Sequence, residues 1–478
     1  MKMTKNDVKA EVVIIGAGPG GYAAAFHAAD LGKQVTLIDP KENPGGVCLY
    51  HGCIPTKALL HVASVKEEAH HAKEWGMDFK SVTLDIKKVR DWKQKVVNQL
   101  TGGLGQLSKS RKINYIRGKA KFKDENTLIV DPNDGSQYEL AFKQVIIATG
   151  ARATALPGIE FDHERILNAE AALELNDMTG KLLVVGAGYI GLEMSVIFNA
   201  LGANVSIIEL TSGIMPGLDQ DLANVFKKSR PDLMERIRFE TKVTAVKKAG
   251  KKLKVTFEDK NGKSQTETFD KMLVSIGEKP NTENIGLPEA GIETDQWNFI
   301  KVNEFRQTNK KHMYAIGDVA GQPLLAHKAS HEGRVAAEHI AGEKTAYEPK
   351  AIPGIVFTEP ELAWVGLTEK EAKEQGREVT VTKFPWSASG RATAMGESIG
   401  LTKLIIDPKT ERLLGAGFAG KGAGHLIPEA TLAIEMGAVA KDLELTIHPH
   451  PTMSETIMEA AEMFYGQATH SYKRKRKR

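Results

Sequence analysis

Val12-Val13-Ile14-Ile15-Gly16-Ala17-Gly18-Pro19-Gly20-Gly21 opens the chain's first structural unit. The four apolar residues predict a short buried strand, the glycines a tight turn, and the alanine-rich run from Tyr22 to Leu31 a helix. A second strand, Val35 to Ile38, ends in Asp39, about 20 residues further on. The pattern is Gly-x-Gly-x-x-Gly between a strand and a helix. Gly16, Gly18 and Gly21 allow the turn and the close approach of backbone to a pyrophosphate. The helix start receives the phosphate charge, and Asp39 takes ribose hydroxyls. A glycine-rich turn that binds nothing is the competing reading, and it leaves the strand, helix and acid unexplained.

The same pattern returns. Lys181 to Val185 predicts a strand, Gly186-Ala187-Gly188-Tyr189-Ile190-Gly191 a turn, and the run to Leu201 a helix. The strand Asn204 to Ile208 then ends in Glu209. A carboxylate there accepts from a ribose 2′-hydroxyl and repels a 2′-phosphate, and no Arg follows within Leu210 to Pro216, so NAD is favoured over NADP. Two fingerprints imply two dinucleotides and a doubly wound α/β architecture.

Between them, Gly45 to Leu60 holds the chain's 2 cysteines, Cys48 and Cys53. Their loop is too small to constrain much of the unfolded chain, which argues against a structural staple. A pair that opens and closes fits better. Cys53 precedes Ile54, Pro55 and a helix-forming run, so it lies near a helix N-terminus, where free N–H groups favour a thiolate, and Lys57 adds a positive charge. Two inert buried thiols are the bland alternative.

The length of 478 residues suggests about three domains. There is no apolar run of about 18 residues and hence no predicted membrane span. The short, mixed-charge start argues against a targeting peptide and favours the cytoplasm. Net charge is +4, but Lys473 to Arg478 are all basic; without them the balance is 58 basic against 60 acidic residues. The basicity therefore belongs to the tail and gives no reason to expect nucleic-acid binding by the folded body. His61, His70 and His71 predict a solvated helical face without converging ligands, so no metal is expected. Asp85 to Leu100 predicts an amphipathic helix ended by a flexible Gly102-Gly103-Leu104-Gly105, and Ile113–Ile116, Ala120–Phe122 and Thr127–Val130 predict short antiparallel strands.

Gly-Gly-x-Cys-(four residues)-Cys-Ile-Pro-x-Lys resembles the redox segment of the flavin-dependent pyridine nucleotide-disulfide oxidoreductases, and the whole pattern is most similar to their dihydrolipoyl dehydrogenase branch over about residues 10 to 470. The resemblance implies an FAD-binding domain at 1–150, an NAD-binding domain at 151–279, a central segment at 280–345 returning to the first domain, and an α+β dimerisation domain at 346–470, with a basic tail at 471–478. FAD takes the first fingerprint and NAD the second. Ala148-Thr149-Gly150 matches the family's crossover, and Thr308 to Asp318 its second flavin motif, with Asp318 on the ribityl chain. The helix starting near Ala326 faces the flavin pyrimidine, with His327 positional, and Gly277 belongs to the NAD side. Lys57 and Glu193 match an ion pair beside the flavin, and His450 and Glu455 match the terminal His-Pro-Thr-x-x-Glu motif as acid–base and orienting residue.

The implied activity is oxidation of protein-bound dihydrolipoamide through Cys48 and Cys53, with NAD+ reduced to NADH. Implied partners are a second copy of the chain and a lipoyl-bearing acyltransferase or carrier of a 2-oxoacid dehydrogenase or glycine-cleavage complex. Glutathione-type members use NADPH, against which Glu209 argues; mercuric reductases carry a C-terminal cysteine pair, which is missing here. A non-catalytic scaffold is disfavoured because both cysteines, His450 and Glu455 are all present. Three departures remain. Tyr50-His51 stands where Asn-Val is common, and a protonated His51 would favour thiolate; Thr56 replaces the more usual Ser; and Glu278 stands where the family usually has Arg. His448 has no carboxylate at the His450 spacing and ranks as a neighbour of the site.

Overall fold

A computed structural model describes residues 9–177 and 179–472, so the six basic residues of the predicted tail lie outside it. The first fingerprint strand, Ala10–Ile15, sits mid-sheet, with Val35–Asp39 parallel on one side and Tyr138–Ile147 parallel on the other. Its last four residues are all buried, as expected for a strand covered on both faces. Asn114–Asp124 extends this sheet beyond Val35–Asp39, and Met313–Ala315 closes the far edge beside Tyr138–Ile147. The chain thus returns to its first sheet after building a second one.

That second sheet has five parallel strands, with Lys181–Val185 between Asn204–Ile208 and Lys271–Val274. A three-stranded antiparallel sheet from Thr241 to Phe269 covers it. Residues beyond Gly354 form a five-stranded antiparallel sheet backed by the helices Ile427–Met436 and Glu455–Tyr465. The fold is mixed α/β, as the fingerprints predict. No helix among the described residues is long and apolar enough to cross a membrane.

Two local expectations fail. Residues 113–122 are not two short antiparallel strands. They fall in one strand, Asn114–Asp124, whose start pairs parallel with Val35–Asp39 and whose end pairs antiparallel with Thr127–Pro132. Alternation alone cannot distinguish a strand that changes partner from two strands. The glycines at 102, 103 and 105 do not end a helix either; Ile86–Ser110 runs through them. Its reason is contact: a Cβ on Gly105 would lie 2.0 Å from Asn43 Oδ1, and one on Gly45 would lie 3.1 Å from the Thr101 methyl. The helix is pressed against the segment leading to Cys48, and tertiary contact outweighs the roughly 1 kcal/mol cost of each helical glycine.

The second sheet and the C-terminal unit meet at a buried cation. Lys403 is 1% exposed, and its Nζ lies 2.7 Å from Asp219, 3.1 Å from Asp221 and 3.1 Å from Glu369. Lys383 supplies a second positive charge to Asp221 and Glu369. Removing Lys403 leaves buried carboxylate uncompensated, so Lys403→Met is expected to cost about 3–5 kcal/mol, read as a lowered thermal transition. A transition within error of the parent would refute this strut.

Candidate functional site

The two fingerprints are built alike. Gly16 and Gly186 follow their strands, and Gly18 and Gly188 precede the first residue of the helices Pro19–Asp30 and Tyr189–Ala200. Asp39 closes the first turn: Oδ2 accepts from Ala17 N at 2.8 Å and Oδ1 from Lys41 N at 2.9 Å. Glu209 closes the second: Oε2 accepts from Ala187 N at 2.7 Å, and Oε1 from Thr211 N and Oγ1 at 2.7 and 2.8 Å. The acids were predicted as ribose acceptors, and they also fix the turns that would receive the pyrophosphates. A carboxylate oxygen has more than one acceptor position, so both tasks are compatible. Glu209→Gln keeps the side-chain shape and removes the charge; discrimination against NADP+ in kcat/KM is expected to fall at least about tenfold, since like-charge contact costs several kcal/mol. An unchanged NAD+/NADP+ ratio would remove Glu209 from specificity.

The redox segment lies directly on the first turn. Gly45 N donates to Ala17 O at 2.8 Å, and a Cβ on Gly46 would be 2.4 Å from Gly18 Cα. No other residue permits this crossing, which is why the pair Gly45-Gly46 precedes the cysteines. Cys48 lies in the short helix Gly46–His51, and Cys53 is the first residue of Cys53–His71. Both thiols are free and are hydrogen-bond partners. That bond, together with burial, raises Cys48 far above an ordinary thiol. The same bond lowers Cys53, against burial and with help from Lys57. The bond thus favours the proton on Cys48 and the thiolate on Cys53.

Lys57 Nζ reaches both carboxylate oxygens of Glu193, at 2.9 and 3.0 Å, and lies 4.7 Å from the Phe357 ring centre. Glu193 is 3% exposed, and Phe357 N donates to it at 2.9 Å. The ion pair thus joins the redox helix, the second fingerprint helix and the C-terminal unit. Sequence reading missed Phe357, because a backbone donor leaves no trace in residue type.

His51 differs from expectation. Its Nε2 faces Lys41 Nζ at 2.8 Å and accepts from it, which a protonated ring cannot do. Burial lowers its pKa, against Glu170 at 3.3 Å. Burial and the Lys41 contact thus work against the charged form of His51.

Asp318 lies in the turn Gly317–Ala320, ahead of the helix Ala326–Ala341. Burial raises its pKa, and its carboxylate makes no hydrogen bond or ion pair with the described protein. An unpartnered acceptor beside Cβ-free turns fits a polyhydroxyl chain such as that of FAD. His327 donates from Nε2 to Pro353 O at 2.8 Å, so it ties the helix start to the C-terminal unit. Gly150 and Gly277 lie at the two crossovers between sheets, where Asn281 N bonds Gly150 O and Thr154 N bonds Gly277 O, each at 2.9 Å.

His450 is brought to Glu455 but not to the cysteines. His450 Nδ1 donates to Glu455 Oε1 at 2.8 Å, and Thr452 N donates to Oε2 at 2.7 Å. Burial pushes the Glu455 carboxyl up, but Thr452 N–H and His450 together hold it below the usual range. The other ring nitrogen, Nε2, is left for a reacting group, and the side chain is mostly exposed. His448 does have a carboxylate: Nε2 meets Glu429 Oε1 at 2.8 Å, and Nδ1 meets Thr446 O at 2.8 Å. Glu429 comes from another helix, which no local spacing announces.

Residues 10–333 match the pyridine nucleotide-disulphide oxidoreductase family, and residues 352–461 match its dimerisation domain. The chain is similar to the dihydrolipoyl dehydrogenase of Vibrio cholerae, 47% identical over 463 residues and 97% of each chain. That of Bacillus subtilis is 41% identical over 98% of each chain. Among solved structures, LpdA from Mycobacterium tuberculosis superposes with a TM-score of 0.88 at 26% identity, covering 95% of this chain and 99% of that one. The HOCl-induced flavoprotein disulfide reductase RclA from Escherichia coli gives 0.83 at 27% identity, covering 95% and 99%.

Proposed function

Because the chain belongs to the pyridine nucleotide-disulphide oxidoreductases, which use FAD and NAD(H), we propose that it oxidises protein-bound dihydrolipoamide and reduces NAD+, as a dihydrolipoyl dehydrogenase. The observation carrying this reading is the place of the thiol pair: Cys48 and Cys53 are hydrogen-bond partners on the turn that would hold the flavin nucleotide, with Cys53 at a helix start and its pKa held down by that bond and by Lys57. Gly16, Gly18, Gly21, Asp39, Gly150, Asp318 and the helix start at Ala326 would hold FAD, which when bound would supply a two-electron acceptor between the dithiol and NAD+.

The protein's own residues do the rest. His450 of the partner subunit takes a proton through Nε2 from one substrate thiol, while Glu455 of the partner subunit stabilises the resulting imidazolium. The substrate thiolate attacks Cys48 of the Cys48–Cys53 disulfide, and Cys53 leaves as a thiolate favoured by the helix start and Lys57. The second substrate sulfur then displaces Cys48, which takes up a proton. Lipoamide leaves, and the enzyme retains the electron pair in its dithiol. The pair Lys57–Glu193 fixes the charge around Cys53. We place the enzyme in the cytoplasm, serving a lipoyl-bearing acyltransferase or carrier protein of a 2-oxoacid dehydrogenase or glycine-cleavage complex.

Anaerobic stopped-flow mixing with dihydrolipoamide, then with NAD+ or NADP+, tests the reading. Reduction by dihydrolipoamide and reoxidation by NAD+ alone are expected. A protein bleached by NADH but untouched by dihydrolipoamide would be a reductase of another substrate.

A further inference from the structure

Glu278 stands immediately after Gly277, in the short strand Glu278–Pro280 that pairs with Ala151–Ala153 and joins the two dinucleotide units. Its carboxylate makes no hydrogen bond or ion pair among the described residues, although the charges around it are matched. Arg152 pairs with Glu283 at 2.5 Å, and Lys279 lies 3.9 Å from Glu283. The strand Glu278–Pro280 packs against the turn Gly317–Ala320, which carries Asp318 of the first unit, and the Glu278 charge reaches the hydroxyl of Tyr189, the first residue of the second fingerprint helix. Tyr189 also feels Cys53 and Glu193. Tyr189 thus lies within electrostatic reach of the redox helix, the flavin motif and the second fingerprint helix, and Glu278 adds an unpaired carboxylate beside it.

Oxidised and reduced nicotinamide differ there by one positive charge on the ring. We propose that Glu278 is a specificity-determining residue that favours NAD+ over NADH at this site by pairing its carboxylate with the charged ring. The inference rests on NAD binding at the second fingerprint. Its chemical sense is directional: an acid here holds the oxidant and speeds departure of the neutral product, which suits an enzyme run toward NADH. An arginine at the same place would do the reverse.

The preference depends on pH. Burial, reinforced by Asp318, pushes Glu278 up to about 7, while Lys328 and Glu332 are already paired with each other behind Asp318. Above that value the carboxylate is ionised and the preference is present; below it the group is neutral and the preference fades. By reciprocity, bound NAD+ lowers the Glu278 pKa by the same factor as the preference.

The test is equilibrium binding to the FAD-loaded enzyme in states that cannot react. NAD+ is titrated into oxidised enzyme and NADH into fully reduced enzyme, from pH 6 to 8.5, for the parent and Glu278→Gln. At pH 8.5 the substitution is expected to weaken NAD+ by about tenfold, the equivalent of one pKa unit, with NADH little changed. At pH 6 parent and variant should coincide. Tight binding of both nucleotides with an NAD+ affinity independent of Glu278 at all pH values would overturn this inference alone. If neither nucleotide binds the parent, the NAD reading falls and takes the inference with it.

Discussion

Cys48→Ser is expected to lower NAD+ reduction by dihydrolipoamide by at least about 10⁴-fold, because loss of an attacked or attacking group removes the covalent route altogether. NADH-driven reduction of an artificial dye should survive, since that reaction needs the nucleotide turns and not the outer sulfur. Cys53→Ser should lose the first activity equally. It should also change the visible spectrum of the bound flavin, because Cys53 is the sulfur at the helix start with the lowered pKa. The two variants therefore separate the outer from the inner sulfur. If Cys48→Ser retains dihydrolipoamide oxidation, the thiol pair is not the entry point for electrons.

His450→Gln is expected to lower the same reaction by about 10²–10⁴-fold, the usual range for a general acid–base. Its more telling test is complementation. Within one chain His450 bonds Glu455, and neither cysteine is among its partners. The neighbouring surface carries Leu432, Met436, Leu445 and Ile447, the last 95% exposed. These residues lie in the segment that matches the dimerisation domain, so a second copy of the chain is the expected cover. Mixed dimers of Cys48→Ser and His450→Gln subunits should then recover one intact site, built from Cys48 of one subunit and His450 of the other. If His450 served its own chain, every site in the mixture would stay impaired, and the recovered activity would be nil.

The reading of Glu209 and Asp39 illustrates how much local pattern carries. Strand, glycines, helix and terminal acid are contiguous in sequence, and their geometry follows from backbone rules that act over about 30 residues. The same holds for Cys53 at a helix start, and for His450 with Glu455, five residues apart. The partner change within Asn114–Asp124, the helix running through Gly105 and the Lys41 contact of His51 were not legible. Each depends on what another segment does: which strand lies alongside, that Asn43 presses on Gly105, that Lys41 donates to the ring.

Sequence alone thus determined the two nucleotide turns, the redox pair and the His450–Glu455 pair, because each is written in neighbours close along the chain. Only the tertiary structure decided what those parts meet. It laid Gly45-Gly46 across Gly18, brought Phe357 N onto Glu193, and sheltered His448 beside Glu429. It also packed the strand of Glu278 against the turn of Asp318, with no ion-pair partner for Glu278 among the described residues. The physical reason is that desolvation and Coulomb interactions depend on distance in space, and residue spacing sets that distance only within a turn or a single element.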